Sequence, residues 1–319
     1  MGKEVIKTAA VIGAGIMGHG MAQIMANNGV QVQVVDVSQD ALDRARGEIE
    51  GNTDRMIEIG VLDQAGKEGI LANLIFTAET SENLAQADLI LEAVNENFDL
   101  KRKIWANLGE QGAPDAIMAS NTSSYDINDL VEGVPNQERL LGIHWFMPPQ
   151  ITPCVEVIPG NETSQEVLDL VFAFLSGMGK APVKCKCAPG FVANRIQMAM
   201  VKEATAVVEE GLATPQEVDE IVKTSMGFRL GAYGPFEIID IAGADTYNSV
   251  FEYLTEKLGY AHFKPPALLA DQVAKGKLGL KTMGGFYEYD DGSAERLRND
   301  RDRKFYARLQ LYKSEKDNG

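Results

Sequence analysis

The chain reads as an α/β protein in two parts, an N-terminal doubly wound parallel sheet followed by a C-terminal all-helical domain. Three observations predict this. From residue 8 to 186 short β-branched runs alternate with helical stretches, the pattern of a parallel sheet covered on both faces. Beyond Ala188-Pro189-Gly190 the strands stop and helix follows helix, so these breakers divide the chain into domains at 1–187 and 188–319. A length of 319 residues suits two domains of about 150 each.

The elements follow in order. TAAVIG at 8–13 and QVQVVD at 31–36 are strands, and the helical stretch 16–28 between them completes a βαβ unit. Helices are predicted near 39–59 and 63–72, then strands at 74–77, 88–93 and 116–120, with a helix near 98–108. Strands at 140–145 and 154–158 extend the sheet, and a helix near 164–177 and a strand at 181–186 close the domain. In the second part Ile196, Met200, Ala204 and Val208 recur every four residues while Glu203, Glu209 and Glu210 take other faces, as on an amphipathic helix. More helices are expected near 214–225, 235–241, 243–258 and 266–275, and the charged stretch 293–315 reads as a solvated terminal helix.

Composition narrows the function classes. The chain is 45% hydrophobic and 24% charged, ordinary for globular domains, with a net charge of −16. So acidic a surface repels nucleic acid and anionic membranes, and neither is expected as a partner. No apolar stretch is long enough to cross a bilayer. The three cysteines, Cys154, Cys185 and Cys187, have a spacing that fits no metal or redox motif, so no metal is expected. They read as reduced thiols of a cytoplasmic protein.

The first functional signal is VIGAGIMGHG at 11–20. Gly13, Gly15 and Gly18 form G-x-G-x-x-G after a strand and at the start of a helix, the Rossmann fingerprint. The first glycine permits a tight turn, the second lets backbone approach a pyrophosphate, and the third lets helix and strand pack closely. The plain alternative is a glycine-rich turn. Asp36 at the end of the second strand weighs against it, because a carboxylate there binds the adenosine ribose diol and repels a 2′-phosphate. The expected cofactor is therefore NAD.

Histidine is the usual acid–base group near neutral pH, and the chain has three. His19 lies inside the fingerprint and is expected to pack near phosphates; His262 lies in a Phe/Lys/Pro-rich loop and is expected at the surface. His144 ends a strand in GIHWFMPP, and strand ends of this kind face the ligand crevice. Glu156 sits twelve residues on in CVEVIP, a poor place for a carboxylate without a partner. Bonded to the imidazole it would fix the tautomer and stabilise the imidazolium. SNTSS at 120–124 follows an apolar strand, and Asn194 opens a helix in PGFVANR; both also suit caps or turns.

Together these pieces resemble the 3-hydroxyacyl-CoA dehydrogenase family. The ordered matches run over residues 8–289: VIGAGIMG, LEAVNEN at 91–97, SNTSS, GIHWFMPP with VEVI, PGFVANR, GPFEIIDIAGAD at 234–245 and KTMGGFYEY at 281–289. The resemblance implies that His144 is the catalytic base and Glu156 its orienting acid, and that Ser123 and Asn194 hold the reacting oxygen. It implies cofactor contacts from Gly13, Gly15, Ile16, Met17, Gly18, Asp36, Glu96, Lys101 and Ser123. It also implies a homodimer through the C-terminal helices.

The sequence departs from the family pattern at three places. Met147 stands where the family has the Asn of H-F-F-N-P. GFRLGAYGP at 227–235 replaces the P-M-G-P turn and is expected to bring Arg229 and Tyr233 toward the substrate end. The segment 54–61, DRMIEIGV, has Arg55 as its only base where the family is often lysine-rich and helps bind CoA phosphates. The expected reaction is NAD-dependent oxidation of a 3-hydroxyacyl-CoA such as 3-hydroxybutyryl-CoA. The alternatives are the same chemistry on a small hydroxy acid or carbinol without CoA, for which Arg229 would pair with a carboxylate, and a non-catalytic NAD-binding or structural, crystallin-like protein.

Overall fold

The computed structural model describes residues 5–78, 84, 86–111 and 115–317. Two compact units divide the chain, Met1–Met200 and Val201–Gly319. The first is built on an eight-stranded sheet: β1 Thr8–Ile12, β2 Gln31–Val35, β3 Leu74–Thr77, β4 Leu89–Glu92, β5 Ile117–Ser120, β6 Leu140–Trp145, β7 Cys154–Pro159 and β8 Ala181–Lys184. Their spatial order is β3-β2-β1-β4-β5-β6-β7-β8. The order turns between β1 and β4, the switch point at which such sheets open a crevice beyond the strands' carboxyl ends.

One strand departs from the parallel pattern. β7 pairs antiparallel with β6, then β8 is parallel to β7. The eight residues between β6 and β7 are too few for a crossover helix, so the chain folds back as a hairpin, whereas helix Gln165–Gly177 carries it from β7 to β8. The antiparallel register sets His144 directly opposite Glu156.

Both sheet faces are buried. One packs on Val11, Met21, Leu42, Leu91 and Leu141, the other on Ile90, Trp105, Ile127 and Ile158. Accordingly β4 (LILE), β5 (IMAS) and β6 (LLGIHW) are buried at every position. Their polar residues, Glu92, Ser120 and His144, cluster at the carboxyl ends, where a core would not place them without a use.

The second unit is helical. The helix Ala193–Glu209 belongs partly to each unit, and Pro215–Thr224, Met226–Leu230, Pro235–Ala242, Ala244–Leu258, Ala267–Ala274 and Ser293–Asp317 follow. Thr214 and Glu217 make a reciprocal capping box with Pro215 in the first turn. The buried carboxylate of Asp240 accepts the Phe286 and Tyr287 amides and the Tyr289 hydroxyl, tying Pro235–Ala242 to the turn that follows.

Tyr233 corrects an expectation. Instead of being free for a substrate, it is buried, donates its hydroxyl to Asp300 at 3.0 Å and packs its ring on Phe305 of the terminal helix. The hydroxyl's burial and the Asp300 carboxylate push the phenol up to about 12. Arg229 is exposed on Met226–Leu230 and makes no ion pair among the described residues.

Candidate active site

The fingerprint glycines are each required for a different reason. Gly13 has φ 108°, and a Cβ there would lie 2.7 Å from the Ala93 carbonyl oxygen. At Gly18 a Cβ would lie 1.8 Å from the Gly13 carbonyl oxygen, so helix and turn touch backbone to backbone. At Gly15 a Cβ would meet no protein atom within 4 Å. That open space lies at the N-terminus of helix Ile16–Asn27, whose first turn has no side-chain cap and no acid. Free N–H groups at a helix start attract a phosphate.

A cavity of about 1150 Å³ runs along this turn, lined among others by Gly13, Gly15, Ile16, Asp36, Asn95 and Met147. Asp36 holds the Ala14 amide on one oxygen and the Ser38 amide on the other, both at 2.9 Å. Each oxygen keeps a lone pair for a ribose hydroxyl. The cradle, the helix terminus and the carboxylate suit a dinucleotide. Ile16 faces the cavity, while Met17 packs against the core. His19 also lines it, with Nδ1 bonded to the Gly15 carbonyl at 3.0 Å, and burial lowers its pKa despite that bond. His262 is exposed and pairs with Glu203.

On β6 and β7, His144 Nδ1 and Glu156 Oε2 are 2.8 Å apart, and each residue is only 4% exposed. The other carboxylate oxygen accepts the Val192 and Ala193 amides at 3.1 and 2.9 Å. Glu156 is thus pinned from both sides. The rings of Phe146 and Phe191 flank the imidazole. Gly190 and Phe191 both have positive φ, the turn that delivers those two amides to the carboxylate. Asn194 Nδ2 donates to the Ser123 carbonyl at 2.8 Å. The four residues taken from the sequence therefore form two bonded pairs, His144 with Glu156 and Ser123 with Asn194.

Glu96 organises the SNTSS loop. Its Oε1 accepts the Thr122 hydroxyl at 2.6 Å, the Ser123 amide at 2.9 Å and the Ser124 hydroxyl at 3.0 Å. Burial opposes its charge, but the Thr122 hydroxyl, the Lys101 ammonium and the two serines outweigh it and hold the carboxyl below its usual range. Lys101 is buried and bridges Glu92 at 2.7 Å and Glu96 at 3.2 Å. Sequence reading gave Glu92 no role and took Ser120 and Asn121 only as part of the SNTSS run; both are buried, and Asn121 Oδ1 holds the Trp145 amide at 2.9 Å. The signal was present in Glu92 as the one charge of an apolar strand.

Arg55 is exposed and donates to Asn52. Among the described residues no three His, Cys, Asp or Glu side chains group so as to hold a metal ion, and no helix is long and apolar enough to cross a membrane.

Comparison with known proteins places the chain. Residues 8–188 match the family model of the 3-hydroxyacyl-CoA dehydrogenase NAD binding domain, and residues 190–289 match that of its C-terminal domain. A probable 3-hydroxybutyryl-CoA dehydrogenase of Deinococcus radiodurans is 39% identical, covering 88% of this chain and 99% of its own. A 5-formyl-3-hydroxy-2-methylpyridine 4-carboxylate 5-dehydrogenase of Mesorhizobium japonicum is 33% identical, covering 95% and 97%. The crystal structure of a 3-hydroxyacyl-CoA dehydrogenase of Archaeoglobus fulgidus superposes with a TM-score of 0.77 at 30% identity, covering 93% and 97%.

Proposed function

The chain belongs to the 3-hydroxyacyl-CoA dehydrogenase family and is an NAD-dependent oxidoreductase of CH–OH groups, and from that premise we propose that it oxidises the 3-hydroxyl of a 3-hydroxyacyl-CoA, such as 3-hydroxybutyryl-CoA, reversibly to the 3-keto thioester. The observation that carries this reading is the buried His144–Glu156 pair, at 2.8 Å, at the carboxyl end of the sheet. An ionised carboxylate can only accept, so Nδ1 carries the proton and Nε2 keeps its lone pair. Nε2 takes the substrate hydroxyl proton, and Glu156 stabilises the resulting imidazolium. The bound NAD supplies the hydride acceptor. In the reverse direction the imidazolium returns its proton to the forming alkoxide. The Ser123 hydroxyl and the remaining Asn194 N–H hold the reacting oxygen, while Gly13, Gly15, Ile16, Gly18, Asp36 and Glu96 hold the cofactor; Lys101, buried with its N–H groups engaged, serves the cofactor through Glu96.

A second reading has its own support. The segment 39–72 carries eight carboxylates against four bases. Lys67 is engaged by Asp54, Arg55 by Asn52, and Arg46 lies over Phe76. That is a poor surface for CoA phosphates. The likeness to the pyridine-carboxylate dehydrogenase leaves out less of the chain than segment 290–319, so it includes part of the terminal helix. Under this reading the substrate is a small hydroxy acid, and exposed Arg229 meets its carboxylate.

One assay separates the two. Wild type is expected to reduce acetoacetyl-CoA with NADH, followed by absorbance. Arg55→Ala should then raise KM for the thioester by ~10-fold, the loss of one charge-assisted contact, and Arg229→Met should not. If acetoacetyl-CoA is not reduced and only Arg229→Met raises KM on a free hydroxy acid, the small-acid reading replaces the thioester.

We further propose a cytoplasmic homodimer. The three cysteines are free, as reducing conditions keep them. Met198, Met200, Val201, Leu212 and Ile221 are more than two-fifths exposed, apolar side chains that a second copy of the chain would cover. Light scattering should give twice the chain mass of 34.7 kDa; a single-chain mass at micromolar concentration would refute the dimer.

A further inference from the structure

Glu92 ends β4 with 0% exposure, and none of the motifs assigned it a role. Its oxygens meet three donors. Oε1 accepts the Val94 amide at 2.9 Å and Lys101 Nζ at 2.7 Å, and Oε2 accepts the Ser120 hydroxyl at 2.7 Å. Ser120, at the end of the neighbouring β5, accepts the Thr122 amide at 3.1 Å. The Lys101 ammonium has three N–H groups and three acceptors: Glu92, Glu96 and the Val94 carbonyl at 3.2 Å.

A buried ion pair is weak ground for stability, because an apolar pair of the same shape is often as stable. What this pair adds is register. One carboxylate joins the ends of two adjacent strands to the first residues of both following loops. The loop after β4 carries Glu96, and the loop after β5 carries Ser123.

We propose that Glu92 is a positioning residue of the active site, fixing Lys101 and, through Ser120, the Thr122 amide, so that Glu96, held by Lys101, and Ser123 are presented in one geometry. This rests on the roles proposed above for those three residues. Glu92 acts through them, not on cofactor or substrate. The fold explains why it must be a carboxylate: it serves two N–H donors on one oxygen and a hydroxyl on the other, with the Lys101 charge alongside.

The test is Glu92→Gln in the full chain, which preserves shape and removes the charge. NAD affinity is measured by calorimetry, kcat and KM by NADH absorbance, and the thermal midpoint separately. The dissociation constant for NAD is expected to rise about 10-fold and kcat to fall about 10-fold, because small displacements of positioning groups are costly in rate. Ser120→Ala should move both in the same direction by less, and the double variant should show less than the product of the two effects. A lowered midpoint with NAD affinity and kcat both within about twofold of wild type would mean a merely structural carboxylate and overturn the proposal. Should Glu92→Gln not fold, Ser120→Ala decides on the same two readouts. NAD binding needs no substrate, so failure of wild type to use any thioester would defeat the substrate reading and leave this arm intact.

Discussion

His144→Ala is expected to lower kcat by at least about 10²-fold, since a positioned acid–base group contributes ~10²–10⁴. The loss falls on chemistry, not on assembly of the site. Glu156 keeps its bonds to the Val192 and Ala193 amides when the imidazole is gone, so the carboxylate is not left without donors. The fingerprint and Asp36 lie on β1, the following helix and the end of β2, elements that the substitution does not touch. NAD affinity should therefore stay near the wild-type value. Steady-state kinetics with NADH absorbance and a calorimetric titration with NAD make the comparison. A kcat within a few-fold of wild type would remove His144 from the mechanism, whatever the substrate proves to be.

The candidate site was legible where function strains the local pattern. Gly13, Gly15 and Gly18 stand where a helix starts, and Asp36 and His144 where strands end; these positions have meaning before any coordinates. The pairing of His144 with Glu156 is not fixed by the sequence of either strand, because it depends on β7 running antiparallel to β6, a consequence of a short connection rather than of composition. Glu92 went unread for a different reason. A single acid at the last position of an apolar strand is a signal open to two readings, a strand end turning to solvent or a buried carboxylate with partners, and only the distant Lys101 and Ser120 decide for burial. Tyr233 failed in the opposite direction. Its place in the departing turn pointed toward the substrate end, whereas the partners that bury it, Asp300 and Phe305, lie in a charged helix that read as solvated.

Gly15→Ala and Gly18→Ala should fail in different ways, and the contrast tests how the cofactor is held. At Gly18 the added methyl would sit 1.8 Å from the Gly13 carbonyl oxygen. No rotamer relieves a clash with backbone, so helix Ile16–Asn27 must move off the β1 turn. Overpacking of this kind costs about 3 kcal/mol or more, and at ~2–4 °C per kcal/mol the midpoint of the NAD-free protein should fall by roughly 6–12 °C. At Gly15 φ is −70°, which alanine accepts, and the methyl meets no protein atom. The NAD-free midpoint should then stay within about 1 °C of wild type, because surface changes away from strain are nearly neutral. The methyl instead takes the space at the helix N-terminus where the pyrophosphate must come close to backbone N–H groups. Loss of one charge-assisted hydrogen bond, ~1.5–3 kcal/mol, should raise the dissociation constant for NAD by about 10-fold or more. Thermal melts with and without NAD read both effects at once. Gly15→Ala should melt like wild type alone and gain less from NAD. Gly15→Ala binding NAD as tightly as wild type would show that the cofactor does not approach the chain at this turn.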